Sequence, residues 1–316
     1  MESLKGIHHV TAMAGDPQTN LDFYCGVLGL RLVKLTVNFD DPNTYHLYYG
    51  DAIGSPGTIL TFFPLGQKFP ATIGTGEVTT ISFAVPTGSL PFWREHLEKH
   101  SVAVSPVAER WTFTRLEFSD PDGKKLEIVE DPTPRPFSFW NGGGIPGSFA
   151  IRGIFGVTML VATSTDSIRF LTDRMGAKPQ AAADGSRLFV IGEPESAGFI
   201  EVVARGQRQR GQMGSGTVHH VAWRVTNEDE QLAWQSKLSE NGVGVTPVRD
   251  RKYFRSIYFR EPGEVLFEIA TDPPGFTVDE PRESLGSKLQ LPEWLECERR
   301  FLHKTLPPVR VPAPVE

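Results

Sequence analysis

Two histidine doublets, His8-His9 and His219-His220, hold four of the eight histidines in the chain, each on an alternating, strand-like run. Neutral imidazole is the commonest protein ligand for a metal, so these pairs raise the question of whether they meet at one ion. Neighbours on a strand face opposite ways, so one member of each doublet can point inward. Glu268, inside GEVLFEIATDP, supplies a third candidate ligand. Two imidazoles and one carboxylate leave the remaining coordination positions open, an arrangement that suits non-haem Fe(II) and dioxygen chemistry.

The elements that must bring these residues together follow from an internal repeat. Trp93 to Pro132 align without a gap on Trp234 to Pro273 at an offset of 141, with 14 of 40 positions identical. The strand before each copy aligns with one residue less, TTISFAVP (79–86) over HHVAWRVT (219–226). A fainter copy lays IHHVTAM (7–13) over IFGVTML (154–160) at offset 147. The chain thus reads as four units, each an alternating strand, a helical stretch and three short strands. Gly29, Gly176 and Gly242 stand where helix C-caps are expected.

The expected fold class is α+β, with four βαβββ modules in two domains curled into half-barrels of mixed sheet. Residues 1–132 form the expected N-terminal domain (modules 1 and 2) and 149–273 the C-terminal domain (modules 3 and 4). The Pro- and Gly-rich stretch 133–148 reads as a linker, and 274–316 as a tail with one helix candidate.

The repeat also supplies a control. The mates of His9, His220 and Glu268 are Gly156, Thr80 and Glu127, so one of two equivalent sites carries both histidines and the other carries neither. A strand histidine serves more often in packing than as a ligand, but packing gives no reason for that asymmetry. Glu268 is the weaker member, because a glutamate stands at the same place in both copies. The ligand set draws on modules 1 and 4, so a metal would tie the two domains together.

Bulk properties limit the alternatives. With 316 residues, 39% hydrophobic and 22% charged, the chain is an ordinary globular protein. A net charge of −6 and a pI near 5.8 disfavour nucleic acid or a membrane surface as partner. No apolar leader or membrane span is legible, and two distant cysteines, Cys25 and Cys297, make no disulfide framework, so a cytoplasmic location is expected.

The segments GIHHVTAMAGDPQTNLDFYCGVLGLRLVK, TYHLYYGDAIGSPGTILTFFP, GTVHHVAWRV, DRKYFRSIYFREPGEVLFEIATDPPGF and the tail's EPRESLG resemble the vicinal oxygen chelate superfamily. Within it they are similar to the para-hydroquinone 1,2-dioxygenases and their ring-cleaving relatives. The resemblance implies His9, His220 and Glu268 as Fe(II) ligands, with Mn(II), Zn(II) or Ni(II) as alternatives. It also implies roles around the metal for His8, Thr11, His219, Arg251 and Tyr258. Thr11 is two residues from His9 and shares its strand face, whereas simple alternation points His8 and His219 away from the cavity. The implied activity is extradiol-type cleavage of a hydroquinone- or catechol-like ring, with a small aromatic substrate and dioxygen as partners. The alternatives are a glyoxalase-type lyase or isomerase, which usually adds a fourth protein ligand, and a non-catalytic ligand-binding resistance protein. A homo-oligomeric state is left open by the sequence.

Overall fold

A computed structural model of the chain describes residues 3–67, 69–183, 185–206 and 209–314. The βαβββ grammar recurs four times. Module 1 holds β1 (Ile7–Ala14), β2 (Arg31–Asn38), β3 (Asp41–Gly50) and β4 (Ile59–Pro64); module 2 holds β5 (Glu77–Val85), β6 (Ala108–Arg110), β7 (Phe113–Ser119) and β8 (Lys125–Glu130). Module 3 holds β9 (Gly153–Val161), β10 (Lys178–Ala183), β11 (Ser186–Ile191) and β12 (Gly198–Ala204). Module 4 holds β13 (Val218–Val225), β14 (Arg249–Asp250), β15 (Arg255–Arg260) and β16 (Leu266–Thr271).

A helix follows the first strand of each module: α1 (Pro17–Leu21), α2 (Leu90–Lys99), α3 (Thr165–Arg169) and α4 (Glu228–Glu240), with α5 (Arg299–Thr305) in the tail. α1 and α3 both widen into a π turn at repeat-equivalent positions, Asp22–Val27 and Phe170–Arg174. Gly29, Gly176 and Gly242 adopt φ of +68°, +74° and +75°, a left-handed conformation that a glycine accepts without penalty. Trp93 and Trp234, on matching faces of α2 and α4, are buried.

The strands form two eight-stranded mixed sheets, each curled into a half-barrel. One has the order β14-β15-β16-β13-β1-β4-β3-β2 and the other β10-β11-β12-β9-β5-β8-β7-β6. Each sheet therefore takes one module from each half of the chain, module 4 beside module 1 and module 3 beside module 2. Residues 1–132 and 149–273 describe the order of modules along the chain rather than the sheets, and His9 and His220 lie on adjacent strands of one sheet.

Both seams between modules are antiparallel and carry the same two irregularities. Between β1 and β13 the register slips at His8 and again at His219. Between β5 and β9 it slips at Thr79 and Phe155, the repeat mates of His219 and His8. The bulges therefore belong to the scaffold, and in one sheet the residues they swing out of strict alternation are histidines.

Residues 133–148 run irregularly over module 1, where Ser138 N donates to Asp51 at 2.7 Å and the Arg31 guanidinium stacks on Trp140. The tail crosses the other sheet edge and joins modules 1 and 4. Asp279 accepts from Lys34 at 2.6 Å on one side, and from Lys252 at 3.0 Å and Tyr253 at 3.1 Å on the other. Among the described residues no helix is long and apolar enough to cross a membrane.

Candidate metal centre

Register places the candidate ligands on one face of the sheet. His220 lies opposite Thr11 and His9 opposite Ala222, while Glu268 pairs with both Ala222 and Tyr258 on its two sides. Paired residues share a face, so His9, Thr11, His220, Glu268 and Tyr258 all point into the same half-barrel. His9 Nε2 and His220 Nε2 are 3.3 Å apart although 211 residues separate them in sequence. Glu268 Oε2 lies 2.9 Å from His220 Nε2 and 3.5 Å from His9 Nε2. Among the described residues this is the single cluster of three or more His, Cys, Asp or Glu side chains whose ligand atoms lie within 4.8 Å of one another.

All three side chains are buried, and Glu268 Oε2 receives no aligned hydrogen bond despite its depth. A buried, orphaned carboxylate oxygen is costly unless something cationic completes it. The other carboxylate oxygen is held by Ser256 Oγ at 2.6 Å, which fixes the plane of the group. Burial by itself would push the Glu268 carboxyl up, but His9 and His220 hold it well below the usual carboxylate range.

The first histidine of each doublet does not turn its back on the second. At the β1 bulge His8 Nδ1 comes to 2.8 Å from His9 Nδ1, and at the β13 bulge His219 Nδ1 comes to 2.7 Å from His220 Nδ1. His8 is also hydrogen-bonded to the backbone of Thr271. The Thr271 backbone and His9 together orient the His8 ring from two sides. With its Nδ1 engaged by His8, His9 presents Nε2 to Glu268 and His220, the nitrogen a metal would take. Burial keeps His8, His219 and His220 below the ordinary imidazole value, so they stay neutral. The residues present fit a divalent cation: two imidazole nitrogens and one carboxylate oxygen, each oriented by a neighbour.

The other candidates ring the cluster. Tyr258 lies with its ring 5.6 Å from that of His220, and its Oη accepts from Arg251 Nε at 3.1 Å. Arg251 also pairs with Asp40, at the exposed tip between β2 and β3, at 2.9 Å. Burial, with Glu268 adding, raises the Tyr258 phenol well above its ordinary value. Thr11 Oγ1 accepts from Thr61 Oγ1 at 2.8 Å. Phe254 packs against both His8 and His9, with ring centroids 5.1 and 4.9 Å away.

Sequence reasoning left out His46 and Thr61. His46 Nε2 lies 2.9 Å from Thr61 Oγ1, and its ring sits between Tyr48 and Phe63. The alternation of TYHLYYG places His46 and Tyr48 on one strand face, and the register of Tyr48 with Thr61 and Thr61 with Thr11 makes that the face of the cluster. The signal was available only once β3 could be placed beside β4.

The equivalent half-barrel lacks both imidazoles and holds its carboxylates in ion pairs. A Cβ on Gly156, the mate of His9, would stand 2.5 Å from the Phe199 carbonyl oxygen, so no imidazole fits there. Glu127, the mate of Glu268, is paired with Arg115 and accepts from Ser82 Oγ at 2.6 Å. Glu201 is paired with Arg110 in the same way.

Comparison with known proteins agrees with this architecture. The chain is 47% identical over 307 residues to MhqO of Bacillus subtilis (strain 168), named as a ring-cleaving dioxygenase, covering 97% of each. It is 36% identical over 313 residues to the chlorohydroquinone/hydroquinone 1,2-dioxygenase of Sphingobium indicum, covering 96% of this chain and 97% of that protein. A crystal structure from Bacillus subtilis subsp. subtilis str. 168, named as a dioxygenase, superposes with a TM-score of 0.93 at 45% identity over 99% of both chains. The Glyoxalase/Bleomycin resistance protein/Dioxygenase superfamily profile matches residues 6–128 and 153–278, and the chain belongs to that superfamily.

Proposed function

We propose that the chain is an Fe(II)-dependent, extradiol-type ring-cleaving dioxygenase acting on a hydroquinone- or catechol-like arene. The observation that carries this reading is the convergence of His9, His220 and Glu268, three buried side chains whose ligand atoms lie within 4.8 Å of one another. Held by three protein ligands, the ion would remain free to take both an arene oxygen and dioxygen. The names of the full-length relatives point the same way. A glyoxalase-type site usually adds a fourth protein ligand, and among the described residues the cluster has three.

Bound by these residues, Fe(II) would favour loss of a proton from a coordinated arene hydroxyl and mediate electron flow from the ring to dioxygen. The rest is done by the chain. Ser256 and His8 lock the ligand geometry before substrate arrives, so little reorganisation is left for the reaction itself. Phe254 packs on His9, and Tyr48 on Phe254 and His46, and these apolar surroundings strengthen each polar contact beside them. Arg251 can only donate, so it occupies the lone pair of Tyr258 Oη and leaves that phenol's own proton to direct at a substrate oxygen. With its pKa raised, Tyr258 holds that proton at neutral pH and acts as donor. Both dioxygen atoms enter the product as one ring carbon–carbon bond breaks.

The test is anaerobic reconstitution with Fe(II) followed by oxygen uptake on addition of hydroquinone or catechol. Uptake coupled to a ring-opened product carrying both labelled oxygen atoms is expected. Failure to consume oxygen with any hydroquinone or catechol removes the reading.

A further inference from the structure

We propose that His46 is the specificity-determining acceptor for the substrate's second hydroxyl, the one that does not reach the metal ligands. The proposal rests on the ring-cleaving reading above and names the group that recognises the far side of the ring.

His46 is held in place from three directions. Its ring lies 4.0 Å from that of Tyr48 and 4.3 Å from that of Phe63, at tilts of 35° and 40°. Its Nε2 contacts Thr61 Oγ1 at 2.9 Å. Thr61 spends its hydroxyl hydrogen on Thr11, so it can only accept from His46. Nε2 therefore carries the hydrogen and Nδ1 presents a lone pair. Burial, with His9, His220 and Arg251 adding, keeps the imidazole neutral, and the register of Tyr48 with Thr61 and Thr61 with Thr11 puts His46 on the face of the cluster.

Nδ1 has no hydrogen-bond partner among the described residues, and the side chain keeps partial exposure. A residue needed only to fill the gap between two aromatic rings would be better served by phenylalanine, which leaves no polar atom unpaired. His46 Nε2, Thr61 Oγ1 and Thr11 Oγ1 form a chain of contacts of 2.9 and 2.8 Å, so His46 is set two strands away from Thr11, the residue that pairs with His220 at the cluster. That separation suits a group on the opposite side of an arene whose first oxygen lies at the His9–His220–Glu268 cluster. A site built to accept a hydrogen bond there rejects rings that cannot donate one.

The experiment compares hydroquinone with 4-methylphenol, in which a methyl group replaces the second hydroxyl at similar volume. Dissociation constants are measured anaerobically on the Fe(II)-loaded protein, alongside KM and kcat for hydroquinone. The wild-type protein should bind hydroquinone at least about ten-fold more tightly, the size of one hydrogen bond. His46→Phe should abolish that preference by weakening hydroquinone alone, raising its KM, with the affinity for 4-methylphenol unchanged. His46→Gln, which keeps a donor for Thr61 and an acceptor, should recover part of the preference.

Equal binding of the two rings by the wild-type protein overturns the proposal without need of any variant. So does a His46→Phe protein that weakens both rings alike or neither. A wild-type protein that binds neither ring and consumes no oxygen defeats the ring-cleaving reading itself, and the proposal falls with it; failure of the proposal alone leaves hydroquinone turnover intact.

Discussion

His9 Nε2 and His220 Nε2 stand 3.3 Å apart on adjacent strands, and Glu268 Oε2 lies within 3.5 Å of both. The other nitrogen of each ring, Nδ1, is engaged by the first histidine of its doublet, His8 or His219. With Nδ1 of each ring engaged, both Nε2 atoms and the carboxylate oxygen turn towards one point, where a cation would take all three.

Removing any one of the three groups should therefore cost the ion. His9→Ala, His220→Ala and Glu268→Ala are each expected to lose stoichiometric metal, read by elemental analysis, and with it oxygen uptake. Adding Fe(II) anaerobically to metal-stripped wild-type protein should raise its melting temperature, since about 2.7 kcal/mol is gained at a hundred-fold excess over Kd. The three variants should show no such rise.

The bulge histidines should behave differently. His8→Ala and His219→Ala leave all three ligand atoms in place but free the imidazoles they orient, so metal affinity should drop roughly 10–100-fold rather than vanish. His8 is anchored on its far side by Thr271 and is fully buried, whereas His219 is partly exposed. The larger loss is expected for His8→Ala, measured by competition with a chromogenic chelator.

The four-module plan was legible because each module repeats its hydrophobic periods and its Gly caps, and periodicity is local information. The positions of His9, His220 and Glu268 followed from period-two alternation and from the mismatch with Gly156, Thr80 and Glu127. What strand periodicity cannot carry is pairing between modules. Nothing in the local pattern says that β1 joins β13 rather than β5, because that choice depends on packing across the sheets. His8 and His219 were misplaced by alternation for the same reason: a bulge is a property of two strands together. His46 stayed hidden until β3 was set beside β4.

Tyr258 and Arg251 act as a unit, joined at 3.1 Å. Tyr258→Phe should keep its full metal content and lose on the order of 100-fold in kcat, the scale of a proton donor. Arg251→Met should lose less, and the double variant should be no worse than Tyr258→Phe alone. An additive loss would mean that Arg251 serves the reaction independently.

Asp279 is the stitch between modules 1 and 4, and Lys34 beneath it is fully buried. Asp279→Ala leaves Lys34 with Glu280 and the Phe276 carbonyl and strips a partner from Lys252 and Tyr253. The midpoint of denaturant unfolding should fall by the equivalent of about 1–3 kcal/mol, with the slope unchanged.

Asp120 gives a pH dependence with a definite sign. Its carboxylate sits in the turn after β7, accepting from Tyr24 Oη at 2.9 Å and from Lys124 N at 2.8 Å, and so ties the π turn of module 1 to module 2. Burial outweighs these bonds and pushes it up from 3.8 to about 6. Between those two values the folded chain holds a proton that the unfolded chain has released, so stability falls as pH rises through that window and stays lower above it. Asp120→Asn keeps the shape and an acceptor but has nothing to titrate. The stability of the variant relative to wild type should grow by on the order of 2 kcal/mol between about pH 4 and pH 7, read from paired urea unfolding curves. A pH-independent difference would show that the turn tolerates the buried charge without cost, and that Tyr24 and Lys124 solvate it fully.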